Sequence, residues 1–483
     1  MSWGLIALIA MGCHTADPKA DRPEEQPGKK GYSEVFKVKT GWDIYAGDGY
    51  RYGPSILAND DGSMDVWFAA PGDIFGTRVP LHAEAGAQTP VNLNGQNTAA
   101  QRFSNDRPFF GLSVACPSWG TDNSSLTLSL FEWKGDYAAT IAAPALVSYR
   151  YESYADNQNL QLKRDGMFPA GEYLWLLDEP SGTAGVWQKE GDLAGVTNYL
   201  NGAERKGNSF QAYLMLDASS GGTYWDQAAY RRTTDGGKTW SAEQMALKPT
   251  EYSRDQLSIC DPGAIKIGNY YYVGYTSTED LRGLFNHAYV ARSTSPTGPW
   301  EKWDGNGWGD HPQPVITFNG DADAWGAGEP SMVVNNDTLF FYYTWTDKDR
   351  NETRVATVIA SDEQWPAHLK LQGTAVDKTD IVGADHCDVK YRTDLKRYQA
   401  IHTASRLTAN SYIILWESMD GIHFSKKAEL RDHLEPYLHN CGWSGDIHGH
   451  LDPEKPQFLA YAYGPDWADW KTKWHPIDFG KAN

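Results

Sequence analysis

Three acidic residues stand at matched places in this 483-residue chain: Asp261 in Cys-Asp-Pro, Glu329 in Gly-Glu-Pro and Asp388 in Cys-Asp-Val. Each opens a segment of one design: a polar residue, an apolar pair, a polar turn, then a strongly β-prone run. Aligning these segments adds Gly53 and His448 at the equivalent positions. Carboxylates that meet around one pit repel each other, and this drives their pKa values apart. One can then stay protonated as a general acid while another stays ionised as a base or stabiliser. Cleavage of a glycosidic bond needs such a pair. His386, His439 and His448, with Tyr391, offer a different chemistry: proton abstraction beside a uronate carboxylate, as in a lyase. His386, His448, Arg392 and Trp325 are candidate contacts to a substrate.

The elements that must position these groups are two-stranded hairpins. They begin near Gly53, Asp261, Glu329, Asp388 and His448. A second repeated feature follows most of them, a strand closed by a tight turn and an aromatic residue. It reads Thr-Thr-Asp-Gly-Gly-Lys-Thr-Trp ending at Trp240 and Ser-Thr-Ser-Pro-Thr-Gly-Pro-Trp ending at Trp300, with weaker copies ending at Trp365 and Phe424. A strand-rich unit repeated at this period predicts an all-β fold, a five-bladed β-propeller. The last hairpin lies close to the end of the sequence, so Glu-Val-Phe-Lys-Val-Lys-Thr from Glu34 is expected to supply its outer strand and close the ring.

The first unit is interrupted. Its hairpin ends near Ala70, yet its next strand begins at Trp225. Residues 101–224 are therefore expected to form an inserted β-sandwich, with the propeller made from 33–100 and 225–483. Trp119, Trp133, Trp175 and Trp187 of the insertion are either core residues or platforms for sugar rings, and a helix is expected near Asp192 to Leu200. The insertion resembles an accessory carbohydrate-binding module.

Asp and Glu outnumber Lys and Arg, 62 to 43, for a net charge of -19. Such a chain is not built to bind nucleic acid or an anionic membrane surface. Abundant Trp and Tyr suit a poly- or oligosaccharide partner. Residues 1–13 read as an export signal: a short apolar run ends in Ala-Met-Gly-Cys, which resembles a bacterial lipobox with Cys13 as the lipidated residue. Residues 14–32 read as a polar tether. These features imply a bacterial periplasmic or cell-surface protein, held to the outer membrane only by its lipid, and a monomer. Cys116, Cys260, Cys387 and Cys441 lack zinc-site spacing.

The hairpins, together with Ser-Pro-Thr-Gly-Pro-Trp at Ser295 to Trp300, resemble glycoside hydrolase family 43 and its five-bladed relatives. The resemblance spans most of the propeller but not the insertion. It implies that Glu329 is the general acid and that Asp261 tunes it. It also implies that His450 sits near a channel cation, often calcium, held mainly by water; no cofactor is otherwise required. The family's first-blade base falls on Gly53, so the base is expected from Asp388, Asp48 or Asp43. Inversion of configuration follows from the resemblance. The turns at Asp235 and Asp420 are similar to those of sialidases, where they are structural. A sialidase also needs three arginines, for which Arg51, Arg254, Arg282, Arg292, Arg392 and Arg406 are available.

Overall fold

The computed structural model describes residues 31–45, 49–121, 123–466 and 470–481. Cys13, the expected export signal and Asp48 lie outside the described residues. The protein is nearly all β; its helices are one six-residue turn, Tyr137–Ala142, and a 3-10 segment, Trp365–His368, among the described residues.

Five strands set the frame: Tyr52–Ala58, Cys260–Ile267, Gly326–Asn335, Asp388–Arg392 and Leu438–Asp446. Each packs beside the next. The last pairs in parallel with the first, Ser444 opposite Ile56. Each is the first strand of an antiparallel hairpin, with Ile56 facing Val66, Ile265 facing Tyr272, Val333 facing Phe340, Val389 facing Ala400 and Trp443 facing Leu459. Strand residues point alternately to the two faces of a sheet, and here both faces are apolar because sheets stack on both sides. Trp67, Trp443 and Trp474 are among the largest fully buried side chains. Each such side chain contributes about 1.5–3 kcal/mol through burial.

The N-terminal segment behaves as its sequence suggests: Lys37–Val38 and Trp42–Tyr45 pair with the final strand, Lys471–Asp478. Strand Asp226–Thr233 pairs with Met64–Pro71 across the long interruption, Tyr230 opposite Trp67. The interrupting strands run from Arg78–Pro80 to Ala212–Met215, and these two pair with each other. The strands of the interrupting segment therefore begin at Arg78, ahead of the expected residue 101. Its core includes Phe103, Leu128, Trp175 and Leu214. Trp175 is a core residue, fully buried with its ring N–H on Gln101 at 3.0 Å. The helix expected near Asp192 to Leu200 is instead the strand Val196–Leu200. Its pairing with Ala99–Asn105, which buries Asn198, overrides local preference.

The recurrent turns are locks. Asp235 accepts the Thr239 N–H at 2.9 Å and its hydroxyl at 2.7 Å, while Thr233 accepts the Gly237 N–H at 2.8 Å. The Thr239 backbone bond holds the Asp235 carboxyl down at about 2. Asp420 accepts the N–H groups of Ile422 and His423 in the same way. Both acids spend their oxygens on their own turns.

Candidate active site

Four of these five strands, which begin at Tyr52, Cys260, Gly326, Asp388 and Leu438, share an irregularity near their start. Gly53, Asp261, Glu329 and Asn440 have φ of 58°, 51°, 51° and 37°, each at a break in strand register. The left-handed region costs a side-chain-bearing residue about 1–2 kcal/mol, and such strain concentrates at functional sites. The bulge turns one side chain per strand out of the ladder. A serine ladder identifies the fifth member. Ser55, two residues after Gly53, accepts the Ala264 N–H at 2.8 Å; Ser331, two after Glu329, accepts the Val389 N–H at 3.0 Å. Ala264 is the third residue after Asp261, and Val389 the third after His386. The matched set is thus Gly53, Asp261, Glu329, His386 and Asn440, not one containing Asp388 and His448.

Asp261 and Glu329 line one cleft of about 340 Å³, together with Tyr52, Asp226, Trp325 and Arg406. Asp385 lies against them, inside the protein. It lies 2.9 Å from His439 Nδ1 and accepts from Arg406 at 3.1 Å, the Asn440 N–H at 3.0 Å and the His386 N–H at 3.1 Å. Oxygens of Glu329 and Asp385 and a ring nitrogen of His386 all lie within 4.8 Å of one another. Two full negative charges at that separation repel by about 3–4 kcal/mol at an effective dielectric of roughly 20. That is worth roughly two to three pH units, which carries an ordinary carboxyl to near neutral before burial adds to it.

The surroundings decide which acid keeps its proton. Burial disfavours the charge on Asp385, but Arg406 and His439 outweigh it and hold the carboxyl well below its usual range. Burial, then the charges of Asp385 and Asp261, push Glu329 well above its usual range. Burial and the Asp385 charge push Asp261 up to about 7, while Asn440 donates to it at 2.8 Å. Asp226, on the strand that pairs with the first hairpin's second strand, lines the same cleft. It accepts from Tyr50 at 2.6 Å and Ser258 at 2.9 Å, and burial raises it to about 6.

Several expected site residues are elsewhere. Asp388 is buried beneath the cleft, bonded to Lys390 at 2.6 Å, Ser331 at 2.9 Å and the Trp443 N–H at 2.9 Å. It does not line the cleft, and its charge is spent on Lys390, so it is not placed to act as the base. Asp43 is exposed and binds Tyr463 at 2.8 Å and Lys473 at 3.3 Å, away from the cleft. Asp48 lies outside the described residues. His448 and His450 follow the strand Leu438–Asp446 instead of opening it. Their loop bonds to Lys266 and Val334, at the far ends of the strands that begin with Asp261 and Glu329. His450 Nε2 lies 2.6 Å from the Val334 carbonyl oxygen, so it offers no calcium site there. Tyr391 packs on His450 at that same far end, outside the lyase constellation.

Arg392 is fully buried, ion-paired with Asp394 at 2.7 Å and stacked 4.0 Å over Phe479. It ties the fourth hairpin to the chain's end and is no substrate contact. Arg392→Ala is expected to cost about 3 kcal/mol by stranding Asp394 and opening a void, with turnover per folded molecule unchanged. Urea unfolding alongside an active-fraction assay checks this. Trp325 and His386 are where the sequence places them, at the cleft and beside Glu329. Of the six arginines, Arg282 and Arg406 line the cleft, whereas Arg51 pairs with Glu243 and Arg292 with Glu301.

Glu329, Asp385 and His386 are the described residues whose donor atoms converge as a metal site would require. They suit calcium poorly. That ion takes six to eight oxygens, whereas here one carboxyl is driven to its neutral form, the third donor is a nitrogen, and Arg406 and Lys378 act on the same group.

No family model and no curated protein matches this chain. Among solved structures it is similar to a family 117 glycoside hydrolase of the marine bacterium Zobellia galactanivorans, at 12% identity over 93% of this chain and 92% of that one, with TM-score 0.44. It is also similar to an alpha-L-arabinofuranosidase of Podospora anserina, at 8% identity over 93% and 98%, TM-score 0.43. A third is an endo-arabinase of Bacteroides thetaiotaomicron, at 15% identity over 56% and 91%, TM-score 0.38. What the cleft can do follows from its own groups.

Proposed function

We propose that this chain is a glycoside hydrolase built on a five-bladed β-propeller with a β-sandwich inserted in the first blade. The observation that carries the reading is the crowding of buried carboxyls: Asp226, Asp261 and Glu329 line one aromatic-walled cleft with Asp385 packed against them, in surroundings that drive their pKa values apart. Glu329, kept neutral, gives its proton to the glycosidic oxygen as the bond to the anomeric carbon breaks. Asp385 stays ionised beside it, maintaining the raised pKa and stabilising the positive charge that grows on the sugar. Asp261, held by Asn440, orients the acid. Asp226 replaces the base that Gly53 lacks: it takes a proton from the attacking water as the oxygen bonds to the anomeric carbon. Glu329 and Asp385 are too close to hold a water between them, which favours Asp226 over Asp385 as the base. The substrate class is a plant or algal polysaccharide or its fragments. We further propose export, lipid attachment at Cys13, residence at the bacterial periplasm or cell surface, and a monomeric state.

The pH profile tests the roles. The base must be ionised, so kcat/KM is expected to fall as pH drops below about 6, where Asp226 gains a proton. The acid must be protonated, so an alkaline limb follows as the coupled Glu329 and Asp261 lose theirs. Asp226→Asn should lower the rate by about 10²–10⁴ and remove the acid limb from what activity remains. An unchanged acid limb in that variant rules Asp226 out as base. Screening polysaccharides for released reducing ends separates this reading from two others. A binding protein returns its glycan intact, and a lyase leaves an unsaturated product that absorbs in the ultraviolet.

A further inference from the structure

A second groove, of about 610 Å³, runs between the insertion and the ring and meets the cleft at Trp225, the residue common to both walls. Trp225 is where the chain re-enters the ring, directly before Asp226. Its ring is 37% exposed and rests over Gly283. Along the groove the wall alternates flat rings with amides. The Trp187 ring N–H is held by Asn157 at 2.8 Å. Tyr213 carries the Arg78 guanidinium 4.1 Å over its face. Gln211 donates to Tyr213 at 3.2 Å, while its buried Oε1 has no partner among the described residues. The groove continues past Arg78, Gln211 and Tyr213 into a further cleft of about 600 Å³.

We infer that this seam binds the part of an oligosaccharide that extends beyond the bond being cleaved. Ring faces take the apolar faces of sugars, and amides take hydroxyls. The unfilled acceptor on Gln211 has room for a donor that none of the described residues supplies. Arg78 is already neutralised by Asp73 at 2.7 Å, so the units held there are uncharged. The inference rests on the hydrolase reading for the direction of the chain. It places the insertion's contribution at the junction with the ring, not on a separate face of the insertion. Trp119 packs against Gly185, and Trp133 is engaged by Arg102 and Tyr199, so neither is needed for it.

The test uses the full-length chain on an array of neutral plant and algal wall oligosaccharides of graded length. Wild type should retain hexasaccharides at least about tenfold more tightly than disaccharides, a preference of about 1.4 kcal/mol. Trp187→Ala and Gln211→Ala should abolish that preference while disaccharide binding persists, and Trp187→Phe should keep most of it. Gln211→Ala decides the matter if Trp187→Ala melts early. No length preference in wild type, no binding to any probe, or a preference that survives both alanine variants overturns the inference. Full turnover by Glu329→Gln would count against the hydrolase reading alone and leave the length preference standing.

Discussion

Glu329→Gln is expected to abolish turnover, by about 10³-fold or more, and to leave the protein better folded than before. The first effect follows from removing the group read as the neutral acid, the carboxyl driven well above its usual range beside Asp385. The second follows from linkage. Burial and its charged neighbours raise the folded-state pKa of Glu329 above its value in the unfolded chain. At neutral pH the group must therefore bind a proton on folding, which costs about 1.4 kcal/mol for each pH unit above the ordinary carboxylate value. Glutamine is neutral in both states and escapes that cost. The gain should be largest near neutral pH and shrink as pH falls toward the ordinary glutamate range, where the unfolded chain is protonated as well. Thermal unfolding across pH, paired with a reducing-end assay, checks both halves. A variant that loses activity and stability together would show that Glu329 is a structural carboxylate.

Asp385 behaves in the opposite sense. Its folded pKa is depressed, so its contribution to stability is present above the ordinary aspartate value and lost as pH falls through its folded one. Asp385→Ala leaves the Asn440 and His386 N–H groups and the Arg406 charge without their acceptor and removes the carboxylate beside His439 Nδ1. The expected cost is about 3 kcal/mol at neutral pH. Arg406 is 39% exposed at its side chain and can turn to water, which keeps the figure from being larger. Asp385→Asn is the more informative change. It removes the charge that raises Glu329 and Asp261, so the alkaline limb of kcat/KM should move to lower pH and activity at neutral pH should fall. A mere packing residue would lower stability without moving that limb. Urea titrations and pH–rate profiles of the two variants distinguish the cases.

The strand repeats and the first-strand acids are written plainly in the sequence. The hairpins from Gly53, Asp261, Glu329 and Asp388 have the strands their alternation predicts, and Asp261 and Glu329 share a cleft. The fifth hairpin was misplaced by a physical ambiguity. A Gly-His turn before a β-prone run reads as a strand start, yet the inner strand begins earlier, at Leu438. Asp388 heads the apolar alternation, whereas that alternation does not mark Asp385 as a site residue. The groups that settle the matter, Lys390 and Ser331 on one side and Arg406 and His439 on the other, come from different strands. A clue existed in Gly-Ala-Asp-His-Cys-Asp at 383–388, where two acids flank one histidine. Asp226 carried no such mark; only the re-entry of the chain after the insertion brings it to the cleft.

Infrared difference spectroscopy of the carboxyl C=O stretch at neutral pH, wild type against Glu329→Gln and Asp385→Asn, reaches the protonation split itself. A band from a protonated carboxyl that disappears in Glu329→Gln, and weakens in Asp385→Asn because the acid there ionises, is the predicted outcome. A wild-type spectrum with no such band, or one that both substitutions leave untouched, would mean that the cleft does not hold a neutral acid beside a charged one.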